Sequence, residues 1–351
     1  MSMNAMGFSF FLSPLRRGAP DSLSDVIIRM FDTPSTGILM ASQQVSRRDV
    51  VEAAYKSLAA GEGRGRVLLE ADYLHESDWP EGVSIFNEGG RNRNNRLCLA
   101  ALLRGGFRVR TDTVRSALQH SNFIAAATRG GGWSLLTSAN LSEGSLRSHF
   151  NWGLTTENPA VAEALTDLFD QAWSGDFRKA QTELRFEHPD GGIFELGAGA
   201  DGQALALLEK AVEQAQQEIS FAFFNISKGA DLVKVIKKAA QRGVKVTGIV
   251  DGDQCELSWD AVPELRDGKV DVRYYPGVLT GGNGRMHYKM ATIDNKIAFL
   301  GTSNISAGAE SSLELGVTFQ SCPELPSFLD AEMKRMSRLA RISPPLRTPK
   351  M

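Results

Sequence analysis

One order of elements occurs twice in this chain, and no other feature constrains its fold as much. In the second half, EISFAFFNIS (218–227) is a buried strand by its apolar and aromatic run. ADLVKVIKKAAQRG (230–243) is an amphipathic helix ending in glycine, VKVTGIVDGD (244–253) is the next strand, and KVDVRYYPG (269–277) is a third. In the first half TGILMASQQVS (36–46), RDVVEAAYKSLAAGEGRG (48–65), RVLLEADY (66–73) and FRVRTD (107–112) fill the same four places. Strand, helix, strand at this spacing requires parallel strands joined by crossover helices. The prediction is an α/β protein of two similar halves, each a mixed, mostly parallel sheet flanked by helices. The halves are expected to pack about a pseudo-twofold axis with a site at their interface. A polar, glycine-rich stretch (174–202) holds the join, which separates residues 1–184 from 185–351.

The duplication extends into a longer pattern. HSNFIAAATRGGGWSLLTSANLSEGSLRSHFNWGLTT, from His120, lies beside HYKMATIDNKIAFLGTSNISAGAESSLELGVTF, from His287. Each is an apolar strand, a turn, a second strand, a small-residue turn with asparagine, and a third strand. The helical segments that follow, AVAEALTDLFDQAW and LPSFLDAEMKRMSRLA, have apolar residues at helical spacing and are expected to pack.

In the second copy His287 and Lys289 share one strand face, because alternate residues of a strand point the same way. Two neighbouring cations are unfavourable unless an anion comes between them. Asp294 and the run Gly301, Thr302, Ser303, Asn304 follow at fixed offsets, and such a combination arises by chance with odds of roughly one in 10⁵. The pattern resembles the phospholipase D superfamily, whose signature HxKxxxxDxxxxxxG[ST]xN usually occurs twice. The resemblance implies a phosphodiester substrate, a covalent phosphohistidine and no metal or other cofactor. It implies that His120 is the nucleophile and His287 the general acid, with Lys289 and Asn304 holding the phosphate oxygens. Glu314, in SSLELG, is the carboxylate expected to orient His287, and Asp294 is expected to have a structural role in its turn.

The first copy departs from the signature. His120, Ser138 and Asn140 are present, but Asn122 stands at the lysine position, Ala127 or Thr128 at the aspartate position, and Asn151 at the position of Glu314. Three readings follow. His120 works with Asn122 donating to phosphate and Asn151 orienting its ring, as an amide does in Cys-His-Asn sites. Alternatively two chains bring their His287 motifs together in a homodimer, or the protein binds phosphodiesters without cleaving them. Ser138, Ser303, Asn122 and Asn140 are taken as substrate-binding.

The superfamily includes nucleases, phospholipases and phosphatidyltransferases, so the substrate has to be argued separately. With 39 basic and 41 acidic side chains the chain is nearly neutral, and any polyanion site is local. Residues 89–116 carry Arg91, Arg93, Arg96, Arg104, Arg108, Arg110 and Arg115 just before the first motif; Arg108 and Arg110 are the candidates for a nucleic-acid backbone. This favours a DNA or RNA nuclease, with a lipid enzyme as the alternative. Cys98, Cys255 and Cys322 lie far apart, which argues against a zinc ribbon or a disulfide framework and for a cytoplasmic location. No apolar run reaches about 18 residues, so no membrane span is expected. His75 and His188 lack motif context; His149 shares a face with Asn151 if that segment is a strand.

Overall fold

A computed structural model describes residues 2–13, 22–74, 90, 92–112, 118–254, 259–278 and 284–343. Arg91, Arg115, His75 and Cys255 lie outside the described residues. The first half holds β1 (Ser2–Ala5), β2 (Phe8–Ser13), β3 (Ser35–Ser42), β4 (Arg64–Glu70), β5 (Phe107–Asp112), β6 (Phe123–Thr128), β7 (Gly131–Thr137) and β8 (Asn151–Thr156). The second holds β9 (Gln181–Glu187), β10 (Ile193–Gly199), β11 (Glu218–Phe223), β12 (Lys245–Asp251), β13 (Asp271–Tyr275), β14 (Lys289–Ile293), β15 (Ile297–Gly301) and β16 (Glu314–Gln320).

The two sheets have the same order. The first runs β1-β2-β8-β7-β6-β3-β4-β5 and the second, from its other edge, β9-β10-β16-β15-β14-β11-β12-β13. The duplication seen in the sequence is therefore complete to the edge strands. β9 spans the expected join and belongs to the second sheet. Parallel pairing is confined to β3, β4 and β5 and to their counterparts β11, β12 and β13; the remaining pairs are antiparallel. The sheets are thus mixed but not mostly parallel. Only the strands joined by crossover helices need to run parallel, whereas the motif's hairpins and the added edge hairpins reverse direction.

Three apolar clusters hold this arrangement. One lies under the helices Leu23–Met30, Arg48–Ala60 and Arg93–Arg104 on the outside of the first sheet. Another lies under Gln203–Gln214, Asp231–Gln241 and Val262–Asp267 on the outside of the second. The third is shared by the two halves, with the helices Pro159–Ser174 and Glu324–Ser337 packed into it. At its centre Phe8 stacks on Phe194 with ring centroids 4.8 Å apart, and Phe319 meets Phe8, Phe10 and Phe194 edge-on at 5.1 Å each. Phe319→Ala should remove this keystone and cost about 3–5 kcal/mol, read as a lower midpoint in urea unfolding.

The halves are also joined through the main chain. His120 N donates to Leu313 O at 3.1 Å and Leu313 N to Leu118 O at 2.8 Å. Reciprocally, Phe150 N donates to Arg285 O at 2.8 Å and His287 N to Phe150 O at 2.9 Å. Such paired reciprocal contacts are what a twofold arrangement produces. The second crossing depends on Gly284, where a Cβ would lie 2.0 Å from Ser148 O, an overlap that no side-chain rotation relieves.

Candidate active site

These crossings place the start of each motif beside the acceptor residue of the other half. His120 Nδ1 lies 2.8 Å from Glu314 Oε1, and His287 Nδ1 lies 2.9 Å from Asn151 Oδ1. The pairing expected within each half is therefore exchanged: Glu314 orients His120, and Asn151 orients His287. The physical reason is the backbone register, since Leu313 bridges Gln119 while Met286 bridges Phe150. One chain supplies both histidines and both acceptors, so the constellation closes without a second copy.

Each acceptor is fixed by a hydroxyl in its own half. Thr302 Oγ1 donates to Glu314 Oε2 at 2.5 Å, and Ser138 Oγ donates to Asn151 Oδ1 at 3.0 Å. Asn151 Nδ2 donates to Ser145 O at 3.0 Å, which leaves Oδ1 facing His287. The tautomer of His287 follows: its Nδ1–H donates to the amide oxygen, and its Nε2 lone pair receives Lys289 Nζ at 2.9 Å. Burial and then Lys289, His149, His120 and Arg285 hold His287 well below the usual imidazole range.

Lys289 is fully buried, and burial pulls its ammonium down to about 7 against the opposing charges of Glu314 and Asp251. Lys289 and His287 are in contact, so they titrate as a pair. The pair holds a proton below about pH 7 and loses it above, because the lysine value is depressed rather than raised. An anionic ligand is therefore gripped best on the acid side. For any anion turned over here, kcat/KM should fall as pH rises through about 7, measured from pH 6 to 9.

Several expected substrate contacts have other partners. Ser138 is committed to Asn151, and Ser303 Oγ donates to Asn304 O at 3.0 Å. Asn122 Oδ1 accepts from Ser42 Oγ at 2.8 Å and Gln43 N at 3.3 Å, while its Nδ2 donates to His120 O at 3.1 Å. Lys289 Nζ makes the same bond to its own histidine, reaching His287 O at 3.2 Å. Asn122 thus keeps the structural bond of the lysine it replaces and loses the charge. Asn140 Nδ2 donates to Gln43 Oε1 at 3.1 Å. Asn140 Oδ1 and Asn304 Oδ1, equivalent in the repeat, are both buried without a hydrogen-bond partner.

The Asp294 carboxylate reaches beyond its own turn. It accepts the N–H groups of Gln216, Gln217 and Glu218 at 2.8, 2.8 and 2.9 Å and so caps the entry to β11. Arg110 donates to the carbonyls of Trp173 and Gly175 at the end of helix Pro159–Ser174, and Arg96 reaches Leu74 O at 3.4 Å. Arg108 is exposed on the edge strand β5. Among the described residues of the arginine segment, Arg96 and Arg110 are thus engaged by main-chain carbonyls. His149 does join the site: its ring centroid is 6.2 Å from that of His287, and burial, Arg285 and Lys289 lower it to about 4.

Residues missed by sequence reasoning include Thr302 as the clamp on Glu314, Phe224, whose ring centroid lies 5.0 Å from that of His287, and the strand-end acids Glu70 and Asp251. The available signal was the repeat itself, since Glu70 and Asp251 close equivalent strands.

Duplicated α/β halves that exchange acceptors around two histidines are the arrangement expected of a phospholipase D-like protein. The comparisons support the phospholipase D superfamily: residues 208–337 match the family described as "Cardiolipin synthase, PLD-like domain". It is similar to cardiolipin synthase B of Salmonella typhi, 41% identical over 108 residues that cover 28% of this chain and 26% of that protein. Cardiolipin synthase B of Escherichia coli K12 is 39% identical over 113 residues, covering 29% and 27%. The match thus spans about a quarter of these relatives' length. Phosphatidylserine synthase of Haemophilus influenzae has the same fold, with a TM-score of 0.68 and 13% identity over 97% of this chain and 88% of that one. Among the described residues no helix is long and apolar enough to cross a membrane.

Proposed function

We propose that the chain is a phosphodiester-cleaving enzyme in which His120 is the nucleophile and His287 the general acid. The observation that carries this reading is the crossed pairing, with a carboxylate behind one imidazole and an amide behind the other. His120 Nε2 attacks phosphorus, a P–N bond forms, the P–O bond to the leaving group breaks, and His287, which takes up a proton at Nε2 when Lys289 leaves that nitrogen for the phosphate, gives this proton to that oxygen. Attack leaves positive charge on the His120 ring, and Glu314 is the counter-charge at its Nδ1–H. Asn151 offers His287 no such counter-charge, so a proton held there is readily released. Lys289 exchanges its bond to His287 Nε2 for one to a nonbridging oxygen as charge develops. Water or another hydroxyl then attacks phosphorus, its proton passes to His287, and the P–N bond breaks.

We assign the diester to the phospholipid class. In support, residues 208–337 match a cardiolipin synthase domain family, and the identities of 39–41% are to proteins named cardiolipin synthase B. The nucleic-acid reading drew on the arginine segment, where Arg110 and Arg96 are engaged by carbonyls. Vesicles of anionic phospholipid, single- and double-stranded DNA, and RNA would each be incubated with the protein in EDTA. Release or transfer of the lipid headgroup without nucleic-acid cleavage is the expected result. Nucleic-acid cleavage with intact lipid would reverse the substrate assignment, and activity abolished by EDTA would count against the mechanism.

A further inference from the structure

Two buried carboxyls outside the motif occupy matching positions in the halves. Glu70 closes β4 and Asp251 closes β12, the equivalent strand. Glu70 Oε2 accepts the N–H of Gln119 at 2.8 Å, and Asp251 Oδ2 accepts the N–H of Met286 at 2.7 Å. Gln119 and Met286 are the residues immediately before His120 and His287. Each carboxyl has a second main-chain donor: Asp72 for Glu70, and Asp253, at 2.8 Å, for Asp251.

Both histidines lie just ahead of the regular ladder, since β6 begins at Phe123 and β14 at Lys289. Beyond the ladder, the chain before each histidine is held by the crossing bond to the other half and by this carboxyl. Burying an acid is costly, and burial is the leading influence lifting both Glu70 and Asp251 to about 7. The near-charges around them are Asp112 and Asp72 for Glu70, and Asp253, Arg285 and Lys289 for Asp251. An acid kept in the same costly place twice, on the main chain of each reactive group, points to placement of that group. Misplacing a reacting atom by about 1 Å can cost about 100-fold in rate.

We propose that Glu70 and Asp251 are positioning residues, each fixing the main chain that carries its own half's imidazole and hence the step that imidazole performs. This rests on the roles given to His120 and His287 above. The test uses Glu70→Gln and Asp251→Asn, which keep side-chain volume but leave one acceptor for two N–H donors. Two phosphodiesters sharing the same retained group are compared, one with an alkyl and one with a p-nitrophenyl leaving group. The aryl oxide departs without an acid, so its cleavage depends on His120 and little on His287, whereas the alkyl ester needs both.

Glu70→Gln is expected to lower kcat/KM for both esters by about 10-fold or more. Asp251→Asn should lower it about 10-fold more for the alkyl ester than for the aryl ester. The ratio of the two esters is independent of the fraction of protein folded, so partial unfolding does not imitate the result. Equal losses for both esters in both variants, or no loss in either, would overturn the proposal while leaving the enzyme's function standing. A wild-type protein that turns over neither ester would instead remove the function proposed above, and this inference with it.

Discussion

His287→Ala should lower turnover of an alkyl phosphodiester by about 10³-fold or more and leave the phosphoryl group on His120 when an aryl ester is supplied. The variant lacks the acid for the leaving oxygen and the base for the second attack, but His120 keeps Glu314 at 2.8 Å. An activated ester can still phosphorylate it, and the adduct then has no partner to release it. Phosphohistidine is acid-labile, so the adduct would be sought by mass spectrometry at alkaline pH on the peptide containing His120. Phosphate found on His287 of the wild-type protein, with none on His120, would exchange the two roles. A phosphorylated peptide lacking both histidines would remove the mechanism altogether.

Glu314→Gln should be nearly as damaging, with a loss of about 10²–10⁴-fold in kcat by analogy with amide replacement behind a catalytic histidine. The carboxylate accepts from His120 Nδ1 with one oxygen and from Thr302 Oγ1 with the other. An amide can satisfy only one of these as an acceptor, and it cannot offset the charge that attack places on the ring. Steady-state rates and thermal midpoints would be compared with those of Asn151→Asp. That reciprocal change adds a carboxylate behind His287 and raises its proton affinity, extending activity towards higher pH. If Glu314→Gln keeps wild-type kcat, charge compensation at His120 is not part of the reaction.

The two predictions separate because the halves are alike in fold and unlike in chemistry. Asn122 and Asn151 replace a cation and an anion in the first half, while Lys289 and Glu314 remain in the second. The crossing of the halves places one surviving charge, Glu314, against the other half's histidine and leaves the other, Lys289, beside its own. Lys289 stays at Nε2 of its own His287, and Glu314 serves His120. In the proposed mechanism the degenerate first copy thus contributes the nucleophile, His120, backed by Glu314 of the intact second copy.

The sequence by itself determined the duplicated α/β plan, the strands that follow His120 and His287, and the neighbouring placement of His287 and Lys289. These rest on local periodicity and on residue order, which a single chain displays directly. Only the tertiary structure decided which acceptor serves which imidazole, because that follows from main-chain bonds between residues as distant as Gln119 and Leu313. It also turned Ser138 from a substrate ligand into the clamp on Asn151, and tied Arg110 to the end of a helix. A hydroxyl or guanidinium has several possible partners at equal sequence distance, and the packing of two sheets selects among them.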